Sequence, residues 1–431
     1  MNRFSSIKSY FTRQNGNIFF SICCFAFPPI LGSAVSFVFI GGGLWSFLEV
    51  VTKKIRFNAD RPMVALTIAI YLYCAAYILA SAVNGSLASD ASSLLKLVPF
   101  LLFPFSYSVW SITEKTTLAR IAMLGSMVAC FGALVLAFVQ YYRLGMRAEG
   151  GAGNAIVFAT VTCLGALICL AGALTEDIRT PRVWLLCGAA AGAVAVIYSG
   201  SRIIWVAMLI ACILVLWVNR QRLKVRISMR LLAVASAIAV VAIVLGFHLI
   251  SGRLMALQND LSLLETQGRY DTATGFRIAL WRIGIDAFKD APLFGHGLGP
   301  TKDLIRQGFQ DQFGMKKGFG HFHNGFLTAL VQAGILGALA LASIFVVAAK
   351  NAATVVRISG SPVERFGATM VLVAVTVYLV GGMTGILVGH DILDSVLMIF
   401  LVAGTYLASG STAVPDRYPA AAGMGAGASG L

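Results

Sequence analysis

Residues 17–51 read NIFFSICCFAFPPILGSAVSFVFIGGGLWSFLEVV. The run is apolar nearly throughout, and it is too long for one crossing, because a spanning helix takes about 20 residues. Pro28, Pro29 and Gly32 stand in its middle. Proline removes a helix hydrogen bond and clashes with the preceding turn, and glycine weakens what remains. The stretch therefore predicts two short spans. Charge gives an independent check: Arg3, Lys8 and Arg13 precede the run, and Lys53, Lys54, Arg56 and Arg61 follow it. Basic residues gather on the cytoplasmic side of a membrane, so both flanks belong there and an even number of crossings separates them. A basic N-terminus before an apolar run resembles a signal peptide. The double proline, the missing small-residue cleavage site and the continuing apolarity predict a retained anchor instead.

Ten further apolar segments follow, at 62–84, 93–111, 117–142, 154–174, 183–200, 202–218, 229–251, 322–349, 366–389 and 392–409, giving about twelve spans. The cytoplasmic loops are then 112–116, 175–182, 219–228 and 350–365, with both termini on the same side. The outer loops near 85–92 and 390–391 contain no Lys or Arg. No internal repeat is visible. The chain of 431 residues is 58% hydrophobic and only 12% charged, whereas soluble chains carry about 25% charged residues. A set of soluble domains is excluded, and the fold class is an all-α polytopic membrane protein. The net charge of +15 follows mostly from orientation, since 20 of the 33 Lys and Arg fall on the cytoplasmic side. No nucleic-acid partner is implied. The eight cysteines lie in apolar blocks without zinc-ligand spacing; they read as small buried hydrophobes, and the loops lack a disulfide framework.

One segment departs from this pattern. Residues 252–320, between the ninth and tenth spans on the outer side, are long for a loop and not low in complexity. Phe276, Leu280, Trp281, Ile285 and Phe288 recur at helical spacing, which predicts an amphipathic helix over 274–290. Gly295 to Pro300 then stops it. The chain thus divides into transmembrane helices 1–9 (1–251), a partly helical outer cap (252–320), transmembrane helices 10–12 (321–409) and a Gly/Ala/Ser-rich tail (410–431) expected to be disordered.

Basic residues on the outer side run against the orientation rule. Lys302, Arg306, Lys316 and Lys317 read as an ordinary solvated surface. Arg202 differs, because it ends the tight turn Tyr198-Ser199-Gly200-Ser201-Arg202 between two apolar helices. A charge at that depth needs a partner or a wet cavity. Anion binding is preferred over a snorkelling side chain. Lys96 lies near the outer end of its span, where snorkelling is the stronger alternative. Arg143 and Arg147 enter a loop containing Gly150-Gly151-Ala152-Gly153, whose glycines would let backbone approach a ligand closely. The strongest local signal is His321-Phe322-His323-Asn324-Gly325 at the outer start of the tenth span. A histidine there suits a general base. The alternative is helix capping by Asn324 or its neighbours; His321 is assigned to that structural role and His323 to function. A metal-binding reading of His-x-His lacks a nearby Cys or carboxylate to complete the ligand set. The pattern Gly295–Gly299 lacks the strand and βαβ unit of a nucleotide site. Asp391 and Asp394 beside His390 could form a proton relay, but nothing else builds a pathway around them.

The order of these motifs is similar to that of a known family. An S-G-S-R turn (Ser199–Arg202) comes first, then R-x-x-x-W (Arg277 to Trp281) with P-L-F-G-x-G-L-G (Pro292–Gly299), then H-x-H-N-x-x-L (His321–Leu327) and Gly334-Ile335-Leu336-Gly337. Together they resemble the O-antigen ligase and polymerase superfamily of bacterial envelope glycosyltransferases, over roughly 190–350 by motif. The resemblance implies a metal-independent, inverting transferase without a cofactor. It would move a glycan from an undecaprenyl-diphosphate carrier to a sugar hydroxyl at the periplasmic face of the bacterial inner membrane. The acceptor would be lipid A–core for a ligase, slightly preferred, or a growing polysaccharide for a polymerase. Arg202, Arg277 and His323 fall on the family's functional positions, Lys96 and Arg147 are weaker carry-overs for diphosphate binding, and Trp281 and Asn324 would support them. Guanidinium groups hold phosphate bidentately and keep their charge when partly buried. The carboxylate pair of a hydrolytic glycosidase is not evident. A twelve-span transporter is the reading from another class, and it is disfavoured because the long loop is outside, after the ninth span, and no paired repeats appear.

Overall fold

The structure, a computed structural model, describes residues 12–175, 178, 180–220, 247 and 251–411. All regular secondary structure among the described residues is helical. Eight helices are long and apolar enough to cross a membrane, and Arg182–Tyr198 and Arg202–Val218 are shorter apolar helices. The chain is therefore an integral, polytopic helical membrane protein. The span expected over 229–251 lies outside the described residues except for Phe247 and Ser251, and so do most of the basic loop at 219–228 and all but the first two residues of the tail at 410–431.

The opening stretch forms Arg13–Ala26, the single turn Pro28–Leu31 and Ala34–Val51. Gly32, at φ +55°, makes the break. Arg13 Nε lies 2.8 Å from Glu49 Oε2, and Lys54 Nζ lies 3.5 Å from Glu49 Oε1. The start of the first helix and the end of the second thus share one end of the molecule, so the chain runs out and back between them. Other contacts gather the expected cytoplasmic loops at that end. Tyr107 and Ser411 hydroxyls donate to Asp60 Oδ2 (2.7 and 2.8 Å). Arg365 donates to the carbonyls of Val218 (2.6 Å) and Val356 (2.7 Å) near the C-termini of two helices, where a cation also meets the negative end of the helix dipole. The most enclosed helices are Ala155–Ala173 and Asp391–Ala408. Six of the eight cysteines are buried and two half-buried, all of them free.

Three local features differ from the sequence expectation. The span expected over 93–111 is broken into Ala91–Leu94, a 3-10 turn Leu95–Leu97, Val98–Leu101 and Phe103–Trp110, because Pro99 and Pro104 each open a new piece. The helix Pro362–Gly382 ends well before 389, and residues 383–390 form an outer loop. Hydropathy reads its Gly, Val and Leu residues as membrane, but Gly389 at φ +95° is turn backbone. The glycines of 150–153 do not receive a ligand along their inner edge. A Cβ on Gly151 would lie 2.0 Å from the Ile30 carbonyl oxygen, and one on Gly150 2.6 Å from that of Pro29. Their close approach is to the protein's own Pro28–Leu31 turn.

The cap contains a helical stretch over 251–267 and the helices Ala273–Asp290 and Thr301–Phe313. The first of these helices matches the amphipathic prediction. Its apolar face, including Leu280 and Ile283, packs with Ile305, Phe309 and Phe322 into a small core that continues into Leu327 and Val331 of Gly325–Ile358. That long helix is itself broken at Ala333–Gly334, with Gly334 at φ +63°. The carbonyls of Val331 and Gln332 then accept from the backbone N–H groups of His296 (2.9 Å) and Gly297 (3.0 Å). A broken helix in a membrane survives where its freed polar groups find protein partners. Here the glycine-rich loop after the cap helix supplies them.

Candidate active site

The Ser199–Ser201 turn is held from several directions. Gly200 has φ +64°, the left-handed region that glycine enters without steric cost. Arg147 Nε–H donates to the Ser199 carbonyl (2.9 Å), and the Ser201 hydroxyl donates to the Ala155 carbonyl (3.1 Å). Arg202 opens the next helix and donates through Nη1 to the Arg253 carbonyl (2.8 Å). The side chain of Arg253 lies over the turn, where a Cβ on Gly200 would sit 3.0 Å from its Nε.

Arg277 comes to this turn from the cap helix Ala273–Asp290, which is capped by Thr272 accepting from the Gly275 N–H (3.0 Å). Its side chain is half-buried, and its buried Nε has no hydrogen-bond partner among the described residues. Burial and the charge of Arg202 push its guanidinium below its ordinary pKa, against the opposing charge of Asp260. Asp260 is already engaged by the Thr274 N–H (3.0 Å) and hydroxyl (2.8 Å). Arg147 is pushed down by desolvation and by the charges of Arg253, Arg277 and Arg202, with Glu149 opposing. Four guanidinium groups therefore repel one another here, at the positive end of the Arg202 helix.

His323 stands beside this cluster. Burial and the charge of Arg277 lower its pKa from 6.5 to about 4. Its buried Nδ1 has no partner among the described residues. Its φ is +48°, uncommon for a residue with a Cβ. The strained backbone is fixed on both sides. The His323 N–H donates to His321 Nδ1 (2.9 Å), and Trp281 Nε1–H reaches the His323 carbonyl at 3.5 Å. Asn324 then caps Gly325–Ile358, accepting from the N–H groups of Phe326 (3.0 Å) and Leu327 (3.1 Å). Asn324 thus performs the capping role, while His323 is left with a free ring nitrogen.

The structure brings Arg147, Arg202, Arg277, Trp281 and His323 together. It places Lys96 elsewhere, on the wall of a cavity of about 620 Å³ that His321 also lines, with its Nζ donating to the Gly389 carbonyl (3.1 Å). Two contributors were not assigned a role from sequence. Arg253 is one; it is the first base after the ninth expected span, and its relation to the S-G-S-R turn exists only in three dimensions. Asp90 is the other. Its buried carboxylate accepts from Ser81 and Ser86 hydroxyls (2.7 Å each) and from the N–H groups of Leu298 (3.1 Å) and Gly299 (2.8 Å). Those bonds hold its pKa below the usual value despite burial. They also account for glycine at 299, where a Cβ would lie 2.4 Å from Asp90 Oδ1. Asp394, the relay candidate, has both carboxylate oxygens occupied by the Gly389 N–H (2.9 and 3.0 Å).

Residues 187–342, which contain Arg202, Arg253, Arg277 and His323, match the family described as O-antigen ligase. An uncharacterized protein of Haemophilus influenzae is 24% identical over 324 residues, covering 73% of this chain and 76% of that protein. The exopolysaccharide production protein ExoQ of Rhizobium meliloti is 36% identical over 94 residues, covering 20% of each chain. Over its residues 187–342 the chain is therefore similar to the O-antigen ligase family.

Proposed function

We propose that this protein transfers a glycan from an undecaprenyl-diphosphate carrier to a sugar hydroxyl, acting at the periplasmic face of the bacterial inner membrane. The observation that carries the reading is the half-buried Arg277, with an unpartnered Nε, set between the charge of Arg202 and the unpartnered ring nitrogen of His323. A lipid diphosphate would relieve the repulsion among Arg147, Arg202, Arg253 and Arg277, and guanidinium groups suit its oxygens. The acceptor oxygen then attacks the anomeric carbon, the bond from that carbon to the phosphate oxygen breaks, and the acceptor proton passes to neutral His323. The arginines stabilise the charge that develops on the departing diphosphate. A single displacement inverts the anomeric centre. With the leaving group already activated, the proposal assigns no metal; activity that survives exhaustive chelation would support this, and loss restored by a divalent ion would defeat it.

The preferred acceptor is lipid A–core, making the reaction a ligation. The likeness to ExoQ favours a second reading, polymerisation of polysaccharide repeat units. A deletion strain separates the two. Ligation predicts bare lipid A–core with full-length polymer accumulating on its carrier, and polymerisation predicts single-repeat products. Unchanged envelope glycans would contradict both.

A further inference from the structure

The cavity of about 620 Å³ beside the histidine pair falls within the size range of small-molecule sites. The arginine cluster does not line it. Its lining includes Ser92, Ser93, Thr328 and Gln332, with the deeply buried Tyr73 and Tyr77 behind them. Hydroxyl and amide groups lining a cavity of this size suit a sugar, whose edge is rich in hydroxyls. Its charged lining is two cations, Lys96 and Lys302, against one carboxylate, Asp394, with His321 and His390 as the other titratable groups. Asp394 is occupied by the Gly389 N–H, and His390 Nδ1 faces Asp391 at 3.1 Å. Lys96 spends one donor on the Gly389 carbonyl, and neither lysine has an ion-pair partner among the described residues. The rim at Leu298 and Gly299 is fixed by Asp90.

His321 connects this cavity to the reacting base. Its Nδ1 accepts the His323 N–H, which assigns its proton to Nε2. Burial and the charges of His323 and His390 lower its pKa to about 3, so it is neutral at physiological pH. The centroids of the His321 and His323 rings are 4.3 Å apart. An occupant touching His321 would therefore lie about one ring width from His323.

We propose that this cavity is the acceptor subsite, that its occupant is a sugar bearing an anionic substituent, and that Lys96 and Lys302 hold the anion while His321 Nε2–H and Gln332 hold hydroxyls. The proposal rests on the transferase reading and adds a substrate class to it. The donor diphosphate and the acceptor then approach His323 from separate sides, and the two lysines select acceptors carrying a phosphate or carboxylate.

The test is ligand binding to the purified full-length protein in nanodiscs, with glucose 6-phosphate, glucuronate, uncharged glucose and inorganic phosphate as probes. Both charged sugars should bind saturably at millimolar concentration and at least tenfold more tightly than glucose. Lys302→Gln, at the exposed rim, and Lys96→Gln should each reduce that preference, while Gln332→Ala should weaken charged and uncharged sugars alike. Arg277→Ala should leave sugar binding unchanged. Equal binding of glucose and the charged sugars, no saturable binding of either charged sugar, or phosphate binding as tightly as glucose 6-phosphate would overturn the proposal. Failure of the transferase reading looks different: sugar binding would persist in a protein that forms no glycosidic bond.

Discussion

At the scale of single residues the proposed site rests on mutual electrostatics, with Arg277 at its centre. In the free protein Arg277 helps to hold His323 at about 4, well under the ordinary value of 6.5. His323, the proposed base, is therefore neutral at physiological pH, and on that reading function is lost only as pH falls through its own pKa. On the proposed reading, a bound diphosphate would neutralise Arg277 and remove that lowering influence. The acid limb of kcat, which reports the bound complex, should then lie at higher pH than the limb of kcat/KM, which reports the free enzyme. Coincident limbs would contradict this coupling. Arg277→Lys should rescue little, because an ammonium cannot reproduce bidentate phosphate binding; a loss of at least tenfold in kcat/KM is expected, and full activity would rule out a forked contact. The sequence singles out Arg202, Arg277 and His323 of the candidate site because their motifs follow in order around one long loop. It does not single out Arg253 and Asp90, because each acquires its role from a segment distant along the chain.

The elements show where hydropathy informs and where it misleads. The double proline in residues 17–51 marked a break between two helices, and the Arg13–Glu49 pair places their far ends together. The breaks at 93–111, at Ala333–Gly334 and before 383–390 were missed, since apolar residues continue through each while the backbone leaves the helix. All three breaks lie toward the end bearing the site. The cap is fastened there by Asp90 and by the carbonyls of Val331 and Gln332. Asp90→Ala would leave the Leu298 and Gly299 N–H groups without their acceptor, at about 1–3 kcal/mol for each buried group. Hydrogen exchange should rise specifically over 291–300, with thermal stability reduced; unchanged protection there would show that Asp90 does not fix the loop. Gly334→Ala should be more damaging, because its Cβ would lie 2.2 Å from the backbone of Leu293 in addition to the strain of a positive φ. Its expected outcome is loss of folded protein in a detergent-stability assay.

For the whole molecule, the charge balance separates into two parts. On the topology expected from the sequence, most of the excess base falls on the cytoplasmic side, the side to which the Asp60–Tyr107, Lys115–Ser409 and Arg365–Val218 contacts belong in the proposed orientation. The informative minority lies at the opposite end, around the site. A membrane-impermeant thiol reagent applied to intact spheroplasts should label Lys316→Cys and spare Lys53→Cys; the reverse pattern would invert the proposed topology. The most direct test of the central claim uses purified protein reconstituted with an undecaprenyl-diphosphate-linked glycan and its acceptor. Glycosidic bond formation is followed for the wild type, Arg277→Ala and His323→Ala at equal amounts of folded protein. Transfer by the wild type is predicted, with losses of about 10²–10⁴-fold in His323→Ala and a comparable loss in Arg277→Ala. Full transfer by His323→Ala would contradict the account.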